Sequence, residues 1–315
     1  MEYKISKAKD VEKISALFKG AQNDFFGQNN NCMSQKMNKK LLRKVPINFH
    51  NQGNNNVTTI YYALSSFMNP CESLGEIFFE DETNIKTIGL SVGGTTLDKI
   101  NDCDVNIFNA LRNLFSMKGI PISILKKGIP HTEWHDIRVH VEFYNAIAPT
   151  AINASVQIYQ NKNDTGNIAG MGMGAGAGAD LSSFCSYHVA KQTDNGVSNR
   201  MRLNFNHVTT ALMIKTNTGE KPTHISFNGG IVLLLDRYVT KFGYDVYKFK
   251  PNKLSPAFTT QSSIDSTLKC SINLSRVDNC VVHFANNTPK TVQICQIYLN
   301  CTRFMAGMGG SMYAN

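Results

Sequence analysis

Charged side chains are scarce in this 315-residue chain: Asp, Glu, Lys and Arg make up 17% of it, against 42% hydrophobic residues. Its polarity must come from Asn, Gln, Ser and Thr, which stand among many β-branched and aromatic residues. That mixture suits strands and loops and argues against long exposed helices, which draw on Glu, Lys and Ala. No apolar run approaches the roughly 20 residues of a spanning helix, so a soluble protein is expected. Close cysteine pairs are also missing. The eight cysteines (32, 71, 103, 185, 270, 280, 295 and 301) include no CxxC, which removes the usual spacing of a zinc site. The opening MEYKISKAKDVEK is charged rather than apolar, so no secretory leader is expected. Reduced thiols follow from that, with sequons at Asn56, Asn153 and Asn300 left idle.

The charge that is present is unevenly placed. Residues 1–45 hold ten Lys and Arg against four acids, a net +6 of the chain's +9. This is a basic arm on a nearly neutral body, and charge alone speaks to non-specific attraction rather than to fold. Within the arm, Val11, Ile14, Leu17 and Phe18 fall at helical spacing before Gly20, which predicts a short amphipathic helix over 8–20.

From about residue 45 the pattern changes to short strand-like runs split by turn residues. NIKTIGLSVGGTTLDKI reads as a hairpin with Gly93-Gly94 at its tip. DVNIFNALRNLFSM fits either a helix or a curved strand. HDIRVHVEFYN alternates, with Ile137, Val139, Val141 and Phe143 on one face and Arg138, His140 and Glu142 on the other. The Gly/Ala-rich stretch 167–183 has nothing with which to build a core and reads as a linker or loop. It lacks the Gly-Lys-Ser/Thr ending of a phosphate-binding loop. The second half repeats the style of the first, and strands at such spacing without alternating helices indicate β-sandwiches.

Chemistry-bearing motifs are thin. His131 and His135 with Glu133 lack the order of a helical zinc-protease motif, and on a strand the two histidines would stand about 13 Å apart. Asp98, Asp102 and Asp104 read as a solvated acidic loop, since the twelve-residue calcium pattern is absent. Trp134 reads as a core or interface anchor. No nucleophile elbow and no aromatic-plus-basic RNA-binding signature occurs. Neither catalytic residues, a metal site nor a cofactor is expected.

Several segments carry a resemblance. LKCSINLSRVDN (268–279) resembles the S-x-N-F-S-R-I-D-N stretch of the major capsid proteins of nucleocytoplasmic large DNA viruses, through Asn273, Ser275, Arg276, Asp278 and Asn279. IYLNCTRFMAGMGGSMYAN (297–315) is similar to their closing segment through Arg303, Gly307, Gly309 and Gly310. RMRLNFNHVTTALMI (200–214) matches at Asn204, Asn206 and His207, and ISFNGGIVLLLDRY (225–238) at Asn228, Gly229, Asp236 and Arg237. In the first half, LSVGGTTLDKI (90–100) matches at Gly93, Gly94 and Asp98. IPHTEWHDIRVHVEF (129–143) matches at His135 and Asp136, and ALFKGAQNDFFGQNN (16–30) resembles the family's opening. The segments fall in family order.

The resemblance implies an all-β chain of two tandem eight-stranded jelly-roll sandwiches. It places a basic arm with a short helix at 1–44, a first roll at 45–166, a linker at 167–183 and a second roll at 184–315. It further implies a homotrimer packing into pseudo-hexagonal capsomers of a viral shell, a virion location and assembly in the host cytoplasm. Neighbouring capsomers would be partners. Through the basic arm, so would minor capsid proteins, an internal membrane or the genome, without specific nucleic-acid recognition. The family-motif residues are expected to be structural. Arg276 and Asp278 read as one strand face flanking Val277, and Gly307, Gly309 and Gly310 as letting the tail turn tightly. A minor capsid or scaffold paralogue, or a β-sandwich binding module, are the alternatives.

Overall fold

The computed structural model describes residues 39–49, 55–69, 72–131, 135–161, 182–196, 199–228, 231–234, 237–249, 271–288, 290–305 and 308–311. The helix expected over 8–20, Trp134, most of the 167–183 stretch, Gly229, Asp236 and Gly307 lie outside them.

Eight strands form the first sandwich: β1 (Lys39–Ile47), β2 (Val57–Ala63), β3 (Glu72–Phe79), β4 (Ile85–Val92), β5 (Thr95–Ile100), β6 (Ile129–Pro130), β7 (Ile137–Ile147) and β8 (Ala154–Asn161). They hydrogen-bond into two sheets, ordered β1-β8-β3-β6 and β2-β7-β4-β5. The alternation read from the sequence sets the faces. In β7, Ile137, Val139, Val141 and Phe143 are buried, whereas Arg138, His140 and Glu142 point outward. They meet Ile60, Leu74, Ile77, Ile88, Leu90, Val156 and Ile158 in the core. Between β5 and β6 the chain forms α1 (Val105–Phe115) and α2 (Ser123–Lys127). The ambiguous DVNIFNALRNLFSM segment is therefore helical. Asp104 caps it by accepting from the Ile107 amide at 2.7 Å, and Ile107, Phe108, Ala110, Leu111 and Phe115 form its buried stripe.

The remaining strands are β9 (Ser182–Gly196), β10 (Arg200–Leu203), β11 (Val208–Thr216), β12 (Pro222–Phe227), β13 (Ile231–Leu234), β14 (Arg237–Lys241), β15 (Tyr244–Lys248), β16 (Ile272–Asn273), β17 (Cys280–Phe284), β18 (Lys290–Met305) and β19 (Met308–Ser311). One sheet runs β10-β17-β12-β13. In the other, β18 pairs with β9 and β11, and β11 also pairs with β16. Set aside the hairpin β14–β15, which extends β11, and the short β19. The second set then reads β9-β18-β11-β16 and β10-β17-β12-β13, the permutation of the first set strand for strand. First and eighth, third and sixth, second and seventh, fourth and fifth strands are neighbours in both. This is the double Greek key of a jelly roll, made twice by one chain. Met201, Leu203, Leu212, Ile214, Ile225, Phe227, Tyr247, Phe249, Val282, Phe284 and Ile294 are among the residues of the second core.

The described residues cluster into two compact units, one within Val189–Leu299, the other within Asn31–His188 together with Asn300–Asn315. β19 belongs to the latter and lies alongside β4 and β5.

The segment around Arg276 departs from its sequence reading. Arg276 and Asp278 do not share a strand face, because Leu274–Arg276 is a 3-10 turn between β16 and β17. The Asn273 carboxamide causes the break: its Oδ1 accepts from the Ser275 amide at 3.1 Å and the Ser275 hydroxyl at 2.6 Å. Such side-chain bonds compete with a strand ladder.

Candidate functional site

Four groups of polar residues stand out, and the motif residues fall mostly into turns. In the first sandwich, Val92 pairs with Thr95, so Gly93-Gly94 is a two-residue hairpin loop with φ of 57° and 84°. Two positive φ values are what a type I′ turn requires. His135 packs over this turn: a Cβ on Gly93 would collide with its ring. The Gly93 amide donates to the Asp136 carbonyl at 3.1 Å, and the Asp136 carboxylate accepts from Ser65 (3.2 Å) and Arg138 (3.1 Å). Those bonds hold the Asp136 carboxyl below its ordinary pKa, with Arg138 the larger cause. Gly93, Gly94, His135 and Asp136 thus act together as a brace at one end of the sheet.

Asp98 is elsewhere. It points inward from β5 and is 2% exposed, so the expected solvated loop does not form around it. Its Oδ1 accepts from the Lys99 amide at 2.9 Å and lies 3.2 Å from Nδ1 of His188, which is wholly buried. His188 Nε2 in turn meets Ser186 Oγ at 2.8 Å. The His188 ring thus lies between the Asp98 carboxylate and the Ser186 hydroxyl. The order of groups is that of a serine-hydrolase relay. Ser186 is 2% exposed, however, and no substrate carbonyl reaches it. The arrangement pins the start of β9 into the first sandwich. Beside it, the Tyr187 amide donates to Ser123 Oγ at 2.6 Å, and its ring stacks on Phe115.

In the second roll, His207 adopts φ 77° between β10 and β11, and its carbonyl accepts from the Leu274 amide at 3.0 Å. Its ring stacks on Tyr298 at 4.7 Å, while the Asn206 carbonyl accepts from the Gln296 carboxamide. Asn273 and Ser275 adjoin this turn through β16, where Val208 pairs with Asn273. Asn228, with φ 49°, and Asn279 hold each other: Asn228 N donates to Asn279 O at 2.7 Å and Asn279 N to Asn228 Oδ1 at 2.9 Å. Asp278 contributes its carbonyl to Arg202 at 3.1 Å, and Asn204 donates its amide to Gln192 at 3.0 Å. Arg276 is exposed. Arg237 opens β14, and Arg303, paired with Gly310, lies in the β18–β19 hairpin next to the Phe304–Gly309 pair. Asn206, His207, Asn273 and Ser275 come together, as do Asn228 and Asn279.

The sequence reading missed the outward rows of histidines. In the first roll, Tyr61, His140, Gly89 and Lys99 stand in register across β2, β7, β4 and β5, with Tyr61 stacked on His140 at 4.5 Å. In the second, Arg200, His283 and His224 stand in register across β10, β17 and β12, with the imidazoles stacked at 4.2 Å. His140 and His283 are both the fourth residue of their roll's seventh strand. A Val-His pair inside an alternating strand, IRVHVEF and CVVHF, was the legible signal. Among the described residues no group of three His, Cys, Asp or Glu is placed to hold a metal ion.

The strand order decides the comparison with known structures. PBCV-1 VP54, from a crystal structure fitted into a cryo-EM reconstruction of the virophage Sputnik, superposes with TM-score 0.57 at 15% identity. The alignment covers 90% of this chain and 99% of that one. This is the double jelly-roll fold. A chain of the PBCV-1 virus capsid quasi-atomic model gives TM-score 0.55 at 14% identity, with the same two coverages. Comparison with protein-family models and with curated proteins gives no match. The double jelly roll is thus recognised through its strand order, with little sequence identity behind it.

Proposed function

We propose that this chain is a structural capsid subunit that forms homotrimers and performs no catalysis. The observation that carries the reading is the repetition of one eight-stranded permutation within a single chain, aligned along nearly the full length of a chain of the PBCV-1 capsid. Two similar lobes per subunit give a threefold assembly a six-sided outline, which tiles a hexagonal lattice, and closed cyclic symmetry is the common outcome for homo-oligomers. The described turn residues among the motifs, such as Gly93, Gly94, His207, Asn228 and Asn279, fit this role, since they brace loops between strands. The basic segment 1–45 is the contact to minor capsid proteins, an internal membrane or the genome, by charge rather than by sequence recognition.

Light scattering on the purified full chain tests the reading. A trimer has three times the 35.0 kDa subunit mass, and negative-stain images then show six-sided particles. A folded monomer at micromolar concentration refutes it. Removing residues 1–30 leaves trimers but stops lattice formation, and loss of trimers in that truncation counts against the arm's assigned role. Trimers of the full chain that never tile favour a minor capsid or scaffold subunit instead.

A further inference from the structure

The two outward histidine rows occupy equivalent strands but are built differently. In the second roll, His224 and His283 stack with ring centroids 4.2 Å apart and planes 10° from parallel. Thr223 Oγ1 donates to the His283 carbonyl at 3.1 Å, so at 3.0 Å it accepts from Nδ1–H of His224. That fixes the neutral tautomer and leaves Nε2 of His224 as the site for an incoming proton. His283 Nε2 meets Ser226 Oγ at 2.8 Å on the neighbouring strand. Across the row stands Arg200 on β10, paired in register with His283, and on β13 the register partner of His224 is Leu234. Protonating both rings sets two cations face to face beside a third. Burial first, and then these neighbours, hold both histidines below the ordinary imidazole pKa.

The first roll has one imidazole in the row instead of two. His140 stands alone there: it stacks on Tyr61, whose ring face attracts a cation, and although burial first and then Lys99 on β5 hold it below the ordinary imidazole pKa as well, Glu142 on the same strand works the other way. Gly89 on β4, between His140 and Lys99, adds no charge.

We propose that the row Arg200–His283–His224 is an acid-sensitive seam, so that a fall in pH loosens the sheet β10-β17-β12-β13 of the second roll before the matching sheet of the first. Because an unfolded or opened strand binds these protons more readily, stability is full above the ordinary imidazole range and falls as pH drops through it. The seam sits within one roll and does not depend on the shell reading. In an assembly it gives one class of surface that softens on acidification ahead of its counterpart.

Hydrogen exchange on the full chain near neutral pH and near pH 5, corrected for intrinsic exchange, is the test. Opening of 222–227 and 280–284 is expected to rise several-fold on acidification, with a smaller change across 57–63 and 137–143. His224→Gln with His283→Gln abolishes the excess. Arg200→Gln, an exposed position that leaves the core intact, narrows it. An equal response in both rolls overturns the proposal, as does an undiminished response in Arg200→Gln or in the folded double variant.

Discussion

Cutting the buried contact between Asp98 and His188 tests how the start of β9 is held. Asp98→Ala removes the acceptor for the imidazole Nδ1–H at a site where His188 has no exposed surface. His188→Ala leaves the Asp98 carboxylate buried, 2% exposed, with the Lys99 amide still donating to it. Each change strands one polar partner in the interior, which costs about 1–3 kcal/mol, and more where the stranded group is the carboxylate. Removing both strands neither group, so the double variant falls short of the sum by about 2 kcal/mol, within the range known for contacting residues. Ser186→Ala loses only one neutral hydrogen bond and costs about 1 kcal/mol. Denaturant unfolding of the parent chain and the four variants at one fixed concentration measures this, with exchange protection over 95–100 and 184–188 reporting the local effect. Additivity of the two alanine changes to within 0.5 kcal/mol would refute the pairing, as would a cost below about 1 kcal/mol for either alone.

Three further outcomes follow from other sites. Gly93→Ala places a side chain at φ 57° against the His135 ring and costs about 2 kcal/mol in thermal unfolding, whereas Gly94→Ala, with open space around it, costs about 1. Arg43 donates to both Glu72 oxygens, at 2.5 and 2.7 Å, and holds that carboxyl below its ordinary pKa. The stability it lends is present above the ordinary carboxylate range and lost as pH falls through the lowered value, so an acid melt of Arg43→Ala shows a shallower decline. Burial pushes the Cys280 thiol up to about 12, so in the folded chain it resists alkylation near pH 8.5 and reacts only after unfolding, read by mass spectrometry.

What the sequence disclosed depended on how local the cause was. The alternation of Ile137 to Phe143 sets a strand face within a few residues, and Gly93-Gly94 carries its turn in its own backbone freedom. Both appear in the structure as the sequence predicts. The break at Leu274–Arg276 was hidden, because alternation in SINLSRVDN looks like a strand until the Asn273 carboxamide turns back on the Ser275 amide. Asp98 was misread for a different reason: its partner is 90 positions away, at His188, and nothing near Asp98 records that a later strand enters to cover it. The turns at His207 and Asn228 were not legible either, because their partners, Leu274, Tyr298 and Asn279, lie 51 or more positions further along the chain.

The division of the chain at His188 and Leu299 affects how it is made. The compact unit of the first sandwich also takes in β19, the hairpin partner of β18, which follows the second set of strands in the chain. A chain ended just after Leu299 therefore loses a segment that packs with the half of the protein synthesised first.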